Sequence, residues 1–193
     1  MSHETISLNI DKLMRQNIIW SIILAVALPL LNYAIQPRMY WDFSFWSIIS
    51  TFGWFCVAYI FLIVAHEACH LLGFVVYGGV PWSSLSFGTD LEKGLAYATT
   101  SQLVENHAMK KALLLPFWLT GVLPTVYGFY VDNNLWILVG AFLMAGAVGD
   151  FSMYKALRKF PKHAVVRDDP TEPTLYIYPP GTTNDDITLH DPK

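Results

Sequence analysis

The stretch FWSIISTFGWFCVAYIFLIV (45–64) most constrains the fold, because it carries no Asp, Glu, Lys or Arg over the length of a bilayer-crossing helix. In lipid the backbone of such a run must satisfy itself, so it is read as a helix. The run does not stop where its apolar character does. It continues into AHEACHLLGFVVYG and is ended by Gly78-Gly79-Val80-Pro81. A helix over 45–79 would be about 52 Å long against a hydrocarbon core of roughly 30 Å. It must therefore tilt, bend or emerge into the interface near His66–Gly79.

Three further segments, 17–35, 112–131 and 135–157, are also long and apolar enough to cross a bilayer. The composition agrees: 54% of the 193 residues are hydrophobic and 14% charged. An average soluble chain has roughly 45–50% and about 25%. The expected fold is an all-α integral membrane protein of about four transmembrane helices, with a small β-hairpin loop. A segment 1–16 precedes the membrane domain 17–157, and a partly disordered tail, 158–193, follows. The run 17–35 follows Lys12 and Arg15 but is longer than a signal-peptide core. QPRMYWDF after it lacks a small-x-small cleavage site, so it reads as a retained helix. The net charge of −3 offers no basic surface and excludes a nucleic-acid partner. Cys56 and Cys69 lie in apolar sequence and make no disulfide framework.

Basic residues alternate between loops. Lys12 and Arg15, then Lys93, Lys110 and Lys111, then Lys155, Arg158, Lys159, Lys162 and Arg167 fall on one side; Arg38 and Asp132 mark the other. This places both termini in the cytoplasm. In the loop 80–111, Ser84–Phe87 and Leu95–Thr99 alternate around the turn Asp90-Leu91-Glu92-Lys93-Gly94, which predicts a hairpin. Its edge could receive an extended substrate by strand addition. In the tail, Thr174–Tyr178 is β-prone and PPGTTNDD reads as disordered.

His66-Glu67-Ala68-Cys69-His70 is an HExxH sequence. On a helix this spacing puts both imidazoles on one face, a turn apart, where they can share a metal ion. The glutamate then stands where it can take a proton from an activated water. Ionisable residues are costly in a membrane helix, so the motif is unlike ordinary helix filler.

Catalytic zinc usually has three protein ligands and one open position. Gly73 extends the motif to HExxHxxG, but Val76 occupies the position of a third histidine, so the metzincin pattern fails. Glu92 and Glu105 have suitable chemistry but lie in a charged loop, where a carboxylate needs no special explanation. His107 reads as a polar residue at the interface. Asp150 differs, as the only ionisable residue between Trp136 and Tyr154. A carboxylate at that depth needs a cationic partner or a proton. Lys155 and Arg158, at i+5 and i+8, are poorly placed, whereas a metal on a neighbouring helix answers the charge directly. Ala65, Cys69 and Gly73 form one small-residue stripe; Ala141, Ala145 and Gly149 form another. If these faces meet, His66, His70 and Asp150 converge. Pro116 and Pro124 should bend the third helix.

With His66-Glu67-Ala68-Cys69-His70, Leu115-Pro116 and Gly149-Asp150, the chain resembles the zincin peptidase family of bacterial multi-pass membrane proteins, a domain of unknown function defined by an intramembrane HExxH. The resemblance covers roughly 45–180, including VVRDDPTEPTLYIY. It implies an inner-membrane zinc metalloprotease acting on peptide or membrane-protein substrates. One Zn²⁺ would be held by His66, His70 and Asp150, with Glu67 as general base. The layout is also similar to that of site-2 proteases, although Asp150 is followed by Phe151 and lacks an Asn-Pro-Asp-Gly-type element. Two other readings stay open: a non-enzymatic membrane metal protein (a sensor or chaperone) with the same ligands, and a metal-free adaptor acting through its tail.

Overall fold

The computed structural model describes residues 3–37, 44–90, 95–169 and 174–188, with backbone alone at 89–90 and 95–96. Arg38, Glu92, Lys93 and the hairpin turn 91–94 lie outside the described residues. In chain order the elements are β1 (Glu4–Ser7), α1 (Ile10–Ile35), α2 (Phe45–Gly78), β2 (Leu85–Asp90), β3 (Leu95–Thr100) and β4 (Val104–Glu105). Then come α3 (Asn106–Pro116), a π-helical segment (Phe117–Val122), α4 (Leu123–Tyr130), α5 (Asn134–Gly146), α6 (Val148–Leu157), β5 (Val165–Asp168), β6 (Thr174–Tyr178) and α7 (Asn184–Thr188). Four helical stretches, Ile10–Ile35, Phe45–Gly78, Asn106–Tyr130 and Asn134–Leu157, are long and apolar enough to cross a membrane, as a multi-pass bundle requires. The exposed side chains of α1 and α2, among them Trp20, Trp46, Trp54 and Phe61, are the large apolar ones. A lipid-facing surface needs such residues, and a watery one would not tolerate so many.

The chain divides into two compact units, and the division falls within α2, at His66/Glu67, and near the ends of α3 and α5. One unit comprises 11–66 and 116–148. Within it, Asn32 Nδ2 donates to Asp132 Oδ1 at 2.9 Å, fastening the end of α1 to the turn before α5. Gln36 Nε2 donates to the Phe129 carbonyl at 2.7 Å. Phe55 and Tyr59 of α2 meet Phe142 of α5 edge-on, at centroid separations of 5.6 and 6.1 Å.

The other unit comprises residues up to 10, 67–115 and 149 onward. Here the all-α expectation is corrected. A four-stranded antiparallel sheet, ordered β1-β6-β5-β4, unites the start of the chain, the segment before α3 and the tail. Glu4 pairs with Ile177, Val165 with Tyr178 and Val104 with Val166. Leu175, Ile177 and Val166 turn inward onto a core with Phe74, Ala108, Met109, Ala112, Met153 and Leu157 from α2, α3 and α6. The tail thus completes this core. The stretch read as disordered, PPGTTNDD, forms a turn in which Thr182 Oγ1 donates to the Pro179 carbonyl, and it then enters α7. The expected hairpin is present as β2–β3, with Leu85 opposite Thr100 and Asp90 opposite Leu95.

Helix α2 ends where its glycines require: Gly79 has φ +66, in the left-handed region glycine enters without a Cβ penalty. Asn106 secures the other end of the unit. It is fully buried, and its Nδ2 donates to the carbonyls of Leu157, Phe160 and Pro161 at 3.1, 3.1 and 2.9 Å. These carbonyls belong to the last residue of α6 and to the turn that follows it. The Leu157 and Pro161 carbonyls also accept from the Phe160 and Ala164 N–H groups, so Asn106→Ala chiefly deprives the Phe160 carbonyl, at about 1–3 kcal/mol for a buried acceptor that loses its donor. Thermal unfolding in detergent should show a clear fall in midpoint. Asn106→Asp, which points oxygen at oxygen, should be worse.

Candidate metal centre

The apolar run of α2 delivers His66, Glu67 and His70 to a single turn of helix. One ligand atom from each lies within 4.8 Å of the others. His70 is buried, and the other two are half-buried.

Each imidazole is oriented by a separate hydrogen bond. His70 Nδ1 lies 3.2 Å from the carbonyl oxygen of Ala112, an acceptor only, so Nδ1 carries the proton. The reason this carbonyl can serve is local: Pro116, four residues on, has no N–H to return to it. His66 Nδ1 lies 3.2 Å from Thr120 Oγ1. Thr120 spends its own hydroxyl proton on the Pro116 carbonyl at 2.8 Å, so toward His66 it accepts. Both rings therefore hold a proton on Nδ1, which leaves Nε2 as the nitrogen that can turn to a metal. Metal-binding histidines are commonly arranged in this way.

Gly73 makes the first of these contacts possible. A Cβ on it would stand 2.7 Å from Ala112 Cα, so only glycine lets α2 approach α3 this closely. The expected meeting of two small-residue stripes is corrected here. Gly73 packs against Ala112 of α3, and a Cβ at Gly149 would meet nothing within 4 Å.

Asp150 also differs from the sequence expectation of a mid-helix carboxylate. The segment 135–157 breaks at Ala147, where ψ is 7°, and a new helix begins at Val148. Asp150 sits in the first turn of α6, where the helix dipole favours a negative charge. Its Oδ1 is 3.4 Å from His70 Nε2. A charge-assisted hydrogen bond would be about 2.7–2.9 Å. Two ligands on one tetrahedral zinc, with bonds of about 2.0–2.2 Å, stand about 3.3 Å apart. The donor types thus fit a divalent metal: two imidazoles oriented through Nδ1 and a carboxylate at ligand spacing from one of them. Asp150 reaches the group through His70, and the cluster within 4.8 Å is His66, Glu67 and His70.

Of the other candidate ligands, Glu105 and His107 gather with His163 in a separate group. Asp168, at the end of β5, was not singled out from the sequence. Burial pushes its carboxyl up to about 7, against the opposing pull of the neighbouring Thr99 hydroxyl. Thr99 Oγ1 is buried and closes no hydrogen bond of ordinary length, so its influence on Asp168 is that of a nearby dipole. No local sequence signal could have found Asp168. It is brought near His70 by strand pairing of a polar tail segment.

The family model described as "Putative zincin peptidase" matches residues 59–165, more than half of the chain, and spans the HExxH turn, Ala112, Pro116, Thr120 and Asp150. The chain belongs to this family. No curated protein and no solved structure matches it. The zincin peptidase match and the His/Glu cluster on α2 together make this a peptidase-family protein with a metal-binding turn in a membrane helix.

Two substitutions separate the supports of this zincin peptidase centre from its ligands. Thr120→Val removes the partner of His66, and Gly73→Ala pushes α2 from the carbonyl that holds His70. Losing such outer contacts typically costs about 10–100-fold in metal affinity. Equilibrium dialysis should show weakening of that order at the HExxH turn in each variant, with that turn still filled at saturation.

Proposed function

We propose that the protein is a zinc metalloprotease that hydrolyses peptide bonds within or at the edge of a bacterial inner membrane. In this reading His66, His70 and Asp150 hold the metal and Glu67 is the general base. The observation that carries it is the paired orientation of the two imidazoles through Ala112 and Thr120, with Asp150 at ligand spacing from His70. Metal-ligating histidines almost always donate their other ring N–H to such an acceptor, which fixes the tautomer and the ring orientation.

Zinc bound at this turn would supply Lewis acidity, polarising the scissile carbonyl and acidifying an attacking water. The chain's own groups carry the protons. Glu67, on the same turn as the ligands, accepts the proton of the attacking water and delivers it to the amine nitrogen as the C–N bond breaks. Substrates would be peptides or membrane-protein segments, unwound before cleavage because a helical amide is shielded by its own hydrogen bonds. The edge of the β2–β3 hairpin offers backbone groups to an extended chain. The alternation of loop charges supports cytoplasmic termini, with the motif toward the cytoplasmic end of α2, where water can reach it.

Glu67→Gln keeps the shape of the turn but removes the base. It should retain zinc while turnover falls by about 10²–10⁴-fold. New N-termini in membrane proteomes, compared between cells making wild type and Glu67→Gln, provide the assay. Cleavage by Glu67→Gln at the wild-type rate would remove Glu67 from the mechanism. Equal zinc with no cleavage by either protein would favour a metal sensor or chaperone.

A further inference from the structure

A second set of metal-type donors lies apart from the HExxH turn. Glu105 ends β4, His107 stands in the first turn of α3 and His163 occupies the turn before β5. They are brought together by backbone pairing. Glu105 is opposite Val165 in the sheet, Asn106 N–H donates to the Ala164 carbonyl at 2.8 Å, and His107 N–H donates to the Lys162 carbonyl at 3.2 Å. The turn carrying His163 is closed by Ala164 N–H donating to the Pro161 carbonyl at 3.1 Å. The buried Asn106 side chain fixes the same junction. These positions are therefore set by the fold, with only side-chain rotation left to adjust.

The side-chain geometry is convergent. His107 Nδ1 and His163 Nδ1 stand 2.9 and 3.1 Å from the same carboxylate oxygen, Glu105 Oε2. The rings are 6.0 Å apart at 67°, and one donor atom from each residue lies within 4.8 Å of the others. Ligands with bonds of about 2.0–2.2 Å sit about 2.9 Å apart at a right angle and about 3.3 Å apart in a tetrahedron. Both observed separations fall in or at the edge of that range.

A network of hydrogen bonds alone would also draw two imidazoles to one carboxylate. It leaves one atom unexplained. His107 Nδ1 is buried and closes no aligned hydrogen bond, although Oε2 is only 2.9 Å away. A nitrogen whose lone pair points beside its neighbour, toward a shared point, suits a common cation better than a proton shared along the line of centres.

We infer that Glu105, His107 and His163 form a second metal site, separate from the HExxH turn, that binds a borderline divalent transition ion such as Zn²⁺. Two nitrogens and one oxygen exclude Mg²⁺ and Ca²⁺, which take oxygen ligands. The half-exposed side chains leave the remaining coordination positions to water. The ion clamps the turn before β5 to the start of α3. It thereby holds the tail sheet to the helix that carries Ala112.

The test is zinc stoichiometry of the full-length chain in detergent, stripped with chelator and dialysed against micromolar Zn²⁺. Wild type should bind one equivalent more than His107→Ala/His163→Ala. The same difference of one should persist when both proteins also carry His66→Ala and His70→Ala, which keeps the result independent of the proposed protease centre. His163→Gln alone, at an exposed turn position, gives a variant that folds if the double variant does not. It should lose the extra equivalent or bind it at least tenfold more weakly. Identical stoichiometry and affinity in wild type and His163→Gln would overturn the site, as would an extra equivalent seen only at millimolar zinc.

Discussion

The hydrogen bond from His70 to the Ala112 carbonyl is the contact on which the candidate centre depends. It draws together three sequence features that have no evident relation when read along the chain. Pro116 withholds an N–H from Ala112, Gly73 removes the Cβ that would hold α2 away, and His70 is thereby fixed with Nε2 turned to Asp150. The neighbouring turn repeats the device with a side chain: Thr120, tied back to the Pro116 carbonyl, receives His66. One proline therefore bears on both imidazoles, and the widened π-helical turn that follows it is a local irregularity of a kind often found at functional sites.

The dependence on Ala112 also gives the sheet of this membrane protein a purpose. Helix α3 must be held at a fixed height for Ala112 to meet His70, and its start is gripped by β4 and by Asn106. Those contacts lead directly to the tail, whose strands close the core around Met109 and Ala112. Asp168 arrives near His70 by the same route. The tail is thus part of the support of the centre.

Local spacing made much of this legible. The HExxH turn, the four apolar spans, the glycine stop of α2, the hairpin and the strand Thr174–Tyr178 follow from periodicity and turn chemistry, which act over a few residues. Pro116 and Gly73 were recognisable as a break and a close-packing position, but their partners were not. Which helix a glycine faces is decided by tertiary packing, and here Gly73 chose Ala112 over the stripe before Asp150. The four-stranded sheet was hidden for a different reason. Strand β4 is two residues long, β1 is a short polar ETIS at the start of the chain, and β5 ends in Arg167-Asp168. None is a strand in isolation, because each gains its hydrogen bonds and its buried face only from the others. The break at Ala147 was likewise silent, since an alanine gives no helix-stop signal.

In the proposed centre α2 presents two imidazoles, with a carboxylate from α6, to one metal ion. X-ray absorption at the zinc edge tests it most directly, on the full chain carrying His107→Ala and His163→Ala so that only the α2 turn reports. The spectrum should show two imidazole nitrogens with oxygen completing the shell, all at about 2.0–2.2 Å, and no sulfur. A sulfur shell at about 2.3 Å, which would bring in Cys69, or a single imidazole would contradict it.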